Sequence, residues 1–456
     1  MKTMNNDLFS EFNPVSAKAF KQKIQYDLAG ADYNETLLWS SPEGIHVKPF
    51  YHREDLKAQS IPGHPENWSI VEEIYIHKPE IASKKALELL SKGVEAFHFK
   101  ADAKFNIDAL LEKLPQQNLK LYFNFSFLDV AFFTSLSQKA EEKKVTCFLN
   151  VDIIGNLAKS GNWFSDLKED RQQLKQLFLN GKNDNVIGID ASVYHNAGAT
   201  VVQELAYNLA HVNEYFNHYG DLLNNQQFTF TVAVGSNYFF EIAKIRALRL
   251  LYSTLAHEYD LPQTCHIFAK PALRNKVLYD YNTNLLRTTT ESMSAILGGA
   301  DSLCNLAYDA IYHKTNEFGQ RIARNQLLVL KHESYFDLVS NPADGSYYIE
   351  SLTQQFAEQA LIIFKEIEAG GGFVTQLIEG KIQKKIKDSA FKEQEAFDKG
   401  KKFLVGTNTY QNPEDRMKEE LELYPFLKMN PRKTLLEPII PKRLAEEFEK
   451  KRLKNE

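Results

Sequence analysis

The sequence predicts an α/β fold: a (β/α)8 TIM barrel with an N-terminal arm and a C-terminal helical extension. Three observations carry that prediction. A short β-like run followed by an amphipathic helix recurs eight times from residue 69 onward. The eight rounds fit within roughly 250 residues, the usual size of a closed parallel barrel. Within several of the runs, bulky apolar residues alternate with small or polar ones, as strands between two different environments require. A doubly wound open sheet is the alternative on the same pattern.

The strand candidates, in order, are SIVEEIYI from 69, VEAFHFK from 94, LKLYFNFSF from 119, VTCFLNVD from 145, VIGIDASV from 186, FTFTVAVG from 228, CHIFAK from 265 and DSLCNLAY from 301. Two intervening helices are well marked. Val201, Leu205, Leu209 and Val212 form one apolar stripe, and Ile242, Ile245, Leu248, Tyr252 and Leu255 form another. Residues 283–309 place Arg287 and Thr288 to Thr290 ahead of a helical run closing on Gly298-Gly299, which suggests entry through threonines and exit through glycine. Residues 1–68 read as an arm and 69–372 as the barrel with a closing helix, from about Ser351 to Ala369, that stops at three glycines. Residues 373–456 are charge-rich, and the end, EPIIPKRLAEEFEKKRLKNE, reads as a solvated helix or tail.

Composition narrows the function. A formal charge of −5 with basic residues spread along the chain gives no footprint for nucleic acid. No stretch approaches the roughly 18 apolar residues of a membrane span, and MKTMNNDLFSEF lacks the apolar core of a secretory signal, so a cytoplasmic protein without a membrane partner is expected. Cys147, Cys265 and Cys304 are far apart in apolar surroundings, which predicts buried thiols and no metal.

Alternation assigns faces. Phe228, Phe230, Val232 and Val234 should meet the helices, leaving Thr229, Thr231, Ala233 and Gly235 inside. The same logic points Asn124, Ser126, Asn150, Asp152, Asp190, Ser192 and Asn305 inward near the carboxyl ends of their strands. Such a lining would suit something long and polar along the axis; hydrogen bonding among these residues in a packed core is the other possibility. Tyr194 and His195 follow the fifth strand, on the face where barrel enzymes hold their sites, as an orienting phenol and a general acid; a surface or loop role is the alternative. Glu72 and Glu73 are adjacent on a strand, point to opposite faces and cannot form an acid/base pair. ARNQ at 323–326 reads as helix surface.

Five stretches occurring in one order resemble the methylmalonyl-CoA mutase family: LLWSSPEGIHVKPFY, FFEIAKIRALRLLYSTLAHEY, NTNLLRTTTESMSAILGGADS, GQRIARNQLLVLKHES and NPADGSYYIESLT. The resemblance implies a barrel bored by the pantetheine arm of an acyl-CoA, with Arg287 and Thr288 beside the channel and Asn124, Ser126, Asp190, Thr229 and Thr231 as lining. It implies radical interconversion of methylmalonyl-CoA and succinyl-CoA with adenosylcobalamin, held in the family by a C-terminal domain carrying Asp-x-His-x-x-Gly. That motif is missing here, and the C-terminal stretch resembles the linker before that domain. Where catalytic chains carry Arg, Gln and Tyr after Trp-x-Ile, this one has Val71, Glu72 and Glu73. Tyr194 and His195 stand closer to Ala-Gly-Ala than the family's active-site pair and are expected to be vestigial. These departures look like the small, non-catalytic subunit of a heterodimer, with no catalytic residue or cofactor of its own and a large catalytic chain as partner that binds adenosylcobalamin. A catalytic barrel completed by a separate cobalamin-binding chain is the alternative.

Overall fold

The computed structural model describes residues 9, 11–57, 59–115, 119–181, 183–428 and 431–456. Part of the N-terminal arm's first ten residues therefore lies outside the described residues. All eight expected strands form: β1 (Ser69–Tyr75), β2 (Ala96–Ala101), β3 (Lys120–Phe125), β4 (Thr146–Phe148), β5 (Gly188–Asp190), β6 (Thr229–Val234), β7 (His266–Pro271) and β8 (Ser302–Cys304). They make one parallel sheet in the order β4-β3-β2-β1-β8-β7-β6-β5. A parallel bridge between Val151 and Ile187 spans the remaining gap from β4 to β5, so the sheet curls into a nearly closed (β/α)8 barrel.

The surrounding helices include α1 (Val201–Tyr219), α2 (Tyr238–Glu258), α3 (Thr283–Gly298), α4 (Glu317–His332), α5 (Tyr347–Ala369) and α6 (Glu446–Lys454). Helix α1 starts in a capping box, Thr200 with Gln203, and buries its expected stripe against the sheet. Helix α2 packs against α1, α3 and α5 and is therefore buried nearly all round, charged residues included. Its two arginines tie distant segments of the chain together. Arg246 binds Asn341, Asp344 and Glu350, and Arg249 binds the carbonyls of Cys265 and Gly299 and the carboxylate of Asp301. Each is a buried cation whose partners all come from other segments, so neither side is tolerable without the other.

Two expectations change. The threonines do not open α3: the helix begins at Thr283, and Thr288, Thr289 and Thr290 lie within it, returning their hydroxyls to carbonyls three or four residues back. Its exit is as expected, with Gly299 in the left-handed region (φ 95°). The C-terminal segment is not a solvated tail. Leu444 and Ala445 are buried with Val277, Phe397 and Leu404, while Glu449 accepts from the Leu278 amide and pairs with Arg443. Leu444 and Ala445, just ahead of α6, and the buried carboxylates of Glu446 and Glu449 within it dock the segment, which a charge count hides. The three cysteines are free and buried. Among the described residues, no helix is long and apolar enough to cross a membrane.

Candidate functional site at the barrel mouth

Inward side chains stack in layers with different chemistry. On β6 the bulky set joins the helix-facing core, as alternation requires. Inside, Val71, Ala96, Tyr122, Phe148, Phe268 and Cys304 form a separate apolar cluster. Tyr122 stacks on Phe148 with ring centroids 4.5 Å apart and meets Phe268 at 4.7 Å, and Phe148 lies 4.6 Å from His266. Tyr122 is wholly buried and Phe148 and Phe268 are each 2% exposed, so the middle of the barrel is filled. The phenol is satisfied within the layer, by His266 Nε2 at 2.8 Å and Ser302 Oγ at 2.6 Å. An open polar channel along the axis is thus replaced by an aromatic plug.

Above the plug, at the carboxyl ends of the strands, a cavity of about 970 Å³ opens toward solvent. Its floor carries an ion cluster built on Glu73. Lys270 Nζ lies 2.8 Å from Glu73 Oε2, Lys100 Nζ 2.7 Å from Oε1, and His98 Nδ1 3.1 Å from Oε2. Burial alone would raise the Glu73 carboxyl, but the Lys270 ammonium, the contact with His98 and the charge of Lys100 hold it well below the usual range. Burial and the neighbouring Lys270 push His98 down to about 4, leaving a neutral imidazole. Burial works against the charge of Lys270 too, yet Glu73 outweighs it and keeps the ammonium. Glu72, on the opposite face of the strand, pairs with Arg324 of α4 at 2.7 Å, so Ala323 and Arg324 of the ARNQ segment belong to the cavity wall while Asn325 stays at the surface.

Of the sequence-expected lining, Asn124, Ser126, Asp190 and Thr231 reach the cavity, together with Asn150, Asp152 and Ser192. Thr229 does not; it is buried one layer down, in register with His266. Asn305 also lines the mouth, but its amide donates to Ala323 O and Gln326, because Cys304 takes the inward position on that strand. Arg287 and Thr288 lie in α3, off the axis. Arg287 binds Thr283, Asn284 and the Val405 carbonyl, and Thr288 accepts from Gln326. Tyr194 and His195 turn away from the mouth, since Ser192, Val193 and Asn196 occupy the cavity side of their short helix. Tyr194 is buried with its hydroxyl 3.1 Å from His211, and His195 lies 3.2 Å from Glu204. His98, Lys100 and Lys270 are absent from the sequence expectation, although period-2 alternation through β2 and β7 places them inside. Among the described residues no His, Cys, Asp and Glu side chains converge as a metal site.

The C-terminal segment forms part of the rim. Leu423, Arg432 and Pro441 line the cavity, and the chain is pinned by amide hydrogen bonds from Leu436 to Gly161, Ile439 to Ala158, Lys442 to Asn196 and Leu444 to Arg274.

Comparison with known proteins decides the lineage of this barrel. Residues 107–446 match the family model described as methylmalonyl-CoA mutase. The chain belongs to the methylmalonyl-CoA mutase family. It is 32% identical over 439 residues to the methylmalonyl-CoA mutase small subunit of Porphyromonas gingivalis, covering 89% of this chain and 71% of that one. It is 37% identical over 234 residues to the methylmalonyl-CoA mutase of Rhizobium meliloti, covering 49% of this chain and 33% of that protein. The large subunit from Streptomyces virginiae is 26% identical over 448 residues, 85% of this chain and 61% of its own length. The match thus spans about a third of the rhizobial mutase.

Proposed function

We propose that this chain is the small, non-catalytic subunit of an adenosylcobalamin-dependent methylmalonyl-CoA mutase and that it stabilises a large catalytic subunit. The plug of Tyr122, Phe148 and Phe268 is the observation that carries this: a pantetheine arm threaded along the axis would have to displace three buried aromatic rings. The cluster at the mouth points the same way. A substrate carboxylate would face Glu73, and both lysines that could receive it are already engaged by that residue.

Cobalamin fits poorly here. The rim that a corrin would approach carries the C-terminal segment, hydrogen-bonded at Asn196 and Arg274 just beyond β5 and β7. In this reading adenosylcobalamin sits on the partner. The arm is suited to holding that partner. Its helix Ala17–Asp27 buries no residue, and Phe20 and Trp39 stay about half exposed, surface that a second chain would cover. The 970 Å³ mouth favours a second reading, a barrel that still takes an acyl-CoA and is completed by a cobalamin-binding chain.

Co-expression with a large methylmalonyl-CoA mutase subunit tests the proposal. The two chains should co-elute at one-to-one stoichiometry, and the large chain should lose solubility without its partner. A large chain that folds and turns over alone, without binding this one, would end the proposal.

A further inference from the structure

One stretch of the mouth wall, past the ends of β4 and β5, carries hydrogen-bond acceptors that no described residue serves. Asp152 caps the helix Ile153–Ser160, and a single one of its oxygens takes every donor: Oδ1 accepts from the Gly155 amide at 2.7 Å, the Tyr215 hydroxyl at 2.7 Å and His211 Nε2 at 2.9 Å. Its Oδ2 receives no donor from the described residues, although the side chain is only 9% exposed. Asn150 adopts a left-handed backbone, φ 50°, a conformation that favours glycine. Its Nδ2 donates to the Phe123 carbonyl at 3.1 Å, which orients the amide and leaves Oδ1 as the second buried acceptor without a donor.

Two glycines of the same wall make room for these oxygens. A Cβ at Gly155 would stand 2.0 Å from Asp152 Oδ2, and one at Gly188 would stand 2.3 Å from Asn150 Oδ1. Asp190 follows Gly188 on the inward face of β5 and adds a second carboxylate, whose Oδ1 accepts from Ser192 Oγ at 2.5 Å. The cations of the wall are engaged elsewhere. Lys100 and Lys270 are bound to Glu73, Arg324 to Glu72 and Arg432 to the Ser160 carbonyl, while Lys159 and Lys314 are exposed. Burial would raise the Asp152 carboxyl, but His211, the Gly155 amide and the Tyr215 hydroxyl outweigh it and keep a carboxylate.

We propose that the mouth binds the ammonium group of a small organic amine at Asn150, Asp152 and Asp190, with the carbon chain against Phe127 and Phe164 of the same wall. An ammonium presents three N–H donors and no acceptor, which suits three oxygens of which two belong to carboxylates; a hydroxyl offers one donor and a carboxylate none. The mouth that opposes a substrate carboxylate at Glu73 therefore attracts the opposite charge here. This site does not depend on whether the barrel is catalytic.

Saturation-transfer NMR on the full chain at neutral pH, with n-butylammonium at millimolar concentration and butanol as its uncharged equivalent, tests the site. The amine should bind at least about tenfold more tightly than the alcohol, the ratio that one hydrogen bond to a charged group supplies. Asp152→Asn should weaken amine binding by about tenfold or more. Because Asp152 also caps a helix, Asn150→Gly supplies an independent variant: glycine accepts φ 50° without strain, and loss of Oδ1 should weaken the amine severalfold while leaving the alcohol unchanged. Equal affinity for amine and alcohol, no transfer to either because the acceptors hold ordered water only, or amine affinity unchanged in Asn150→Gly, overturns the site.

Discussion

Replacing Phe148 by alanine probes the plug most sharply. The ring is 2% exposed and is held on both sides, by Tyr122 at 4.5 Å and by His266 at 4.6 Å. Nearly the full transfer free energy of a phenyl group is therefore at stake, and strands fixed by the sheet cannot close in on the void. Buried Phe→Ala changes cost about 3–5 kcal/mol, and stripping both flanking rings of their stacking partner argues for the upper half of that range, about 4 kcal/mol. Urea unfolding followed by far-UV circular dichroism would show a lower midpoint at unchanged slope. Phe391→Ala, at a position 70% exposed, is the control and should change stability by less than about 0.5 kcal/mol. If Phe148→Ala behaved like that control, the ring would not be packed in the barrel and the axis would be open.

Two further outcomes follow from buried charge. Lys276 and Glu291 are each at most 1% exposed; burial pushes the lysine down and the glutamate up, so each stays ionised only through the other. Lys276→Met should cost about 3–5 kcal/mol by urea titration, whereas Lys23→Ala, breaking an exposed pair, should cost under about 1 kcal/mol; similar losses would contradict the burial argument. His98 and His266 are both pushed down to about 4 by burial, below their ordinary 6.5. Their contribution to stability is present above pH 6.5 and lost as pH falls toward 4, so the urea midpoint should drop across that window by the equivalent of a few kcal/mol, and by less in His266→Asn. A flat profile would show that neither imidazole is buried neutral.

Much of this architecture is legible in the residues. The eight strands follow from periodicity, and the two faces of β6 follow from its alternation of Phe and Val with Thr and Ala. The plug is legible by the same rule: the alternation that points Asn124 inward points Tyr122 inward, and Phe148 accompanies Asn150 in the same way. Polar residues at the strand ends suggest an open channel only while the aromatic layer beneath them is left out of the account. Other features depend on three dimensions. Whether Tyr194 faces the mouth is set by the helical phase from Ser192 to Asn196, and Arg324 becomes a wall residue only because α4 lies against Glu72 of β1. The C-terminal segment shows how composition misleads, since Glu449 and Arg443 look solvated in a charge count and are buried against each other.

Turnover separates a supporting barrel from a catalytic one. Purified chain supplied with methylmalonyl-CoA and adenosylcobalamin should form no succinyl-CoA, while the same chain mixed with a large subunit should accompany full activity. Succinyl-CoA produced by this chain with the cofactor alone, or with an isolated cobalamin-binding chain, would contradict the closed barrel and make it the catalyst.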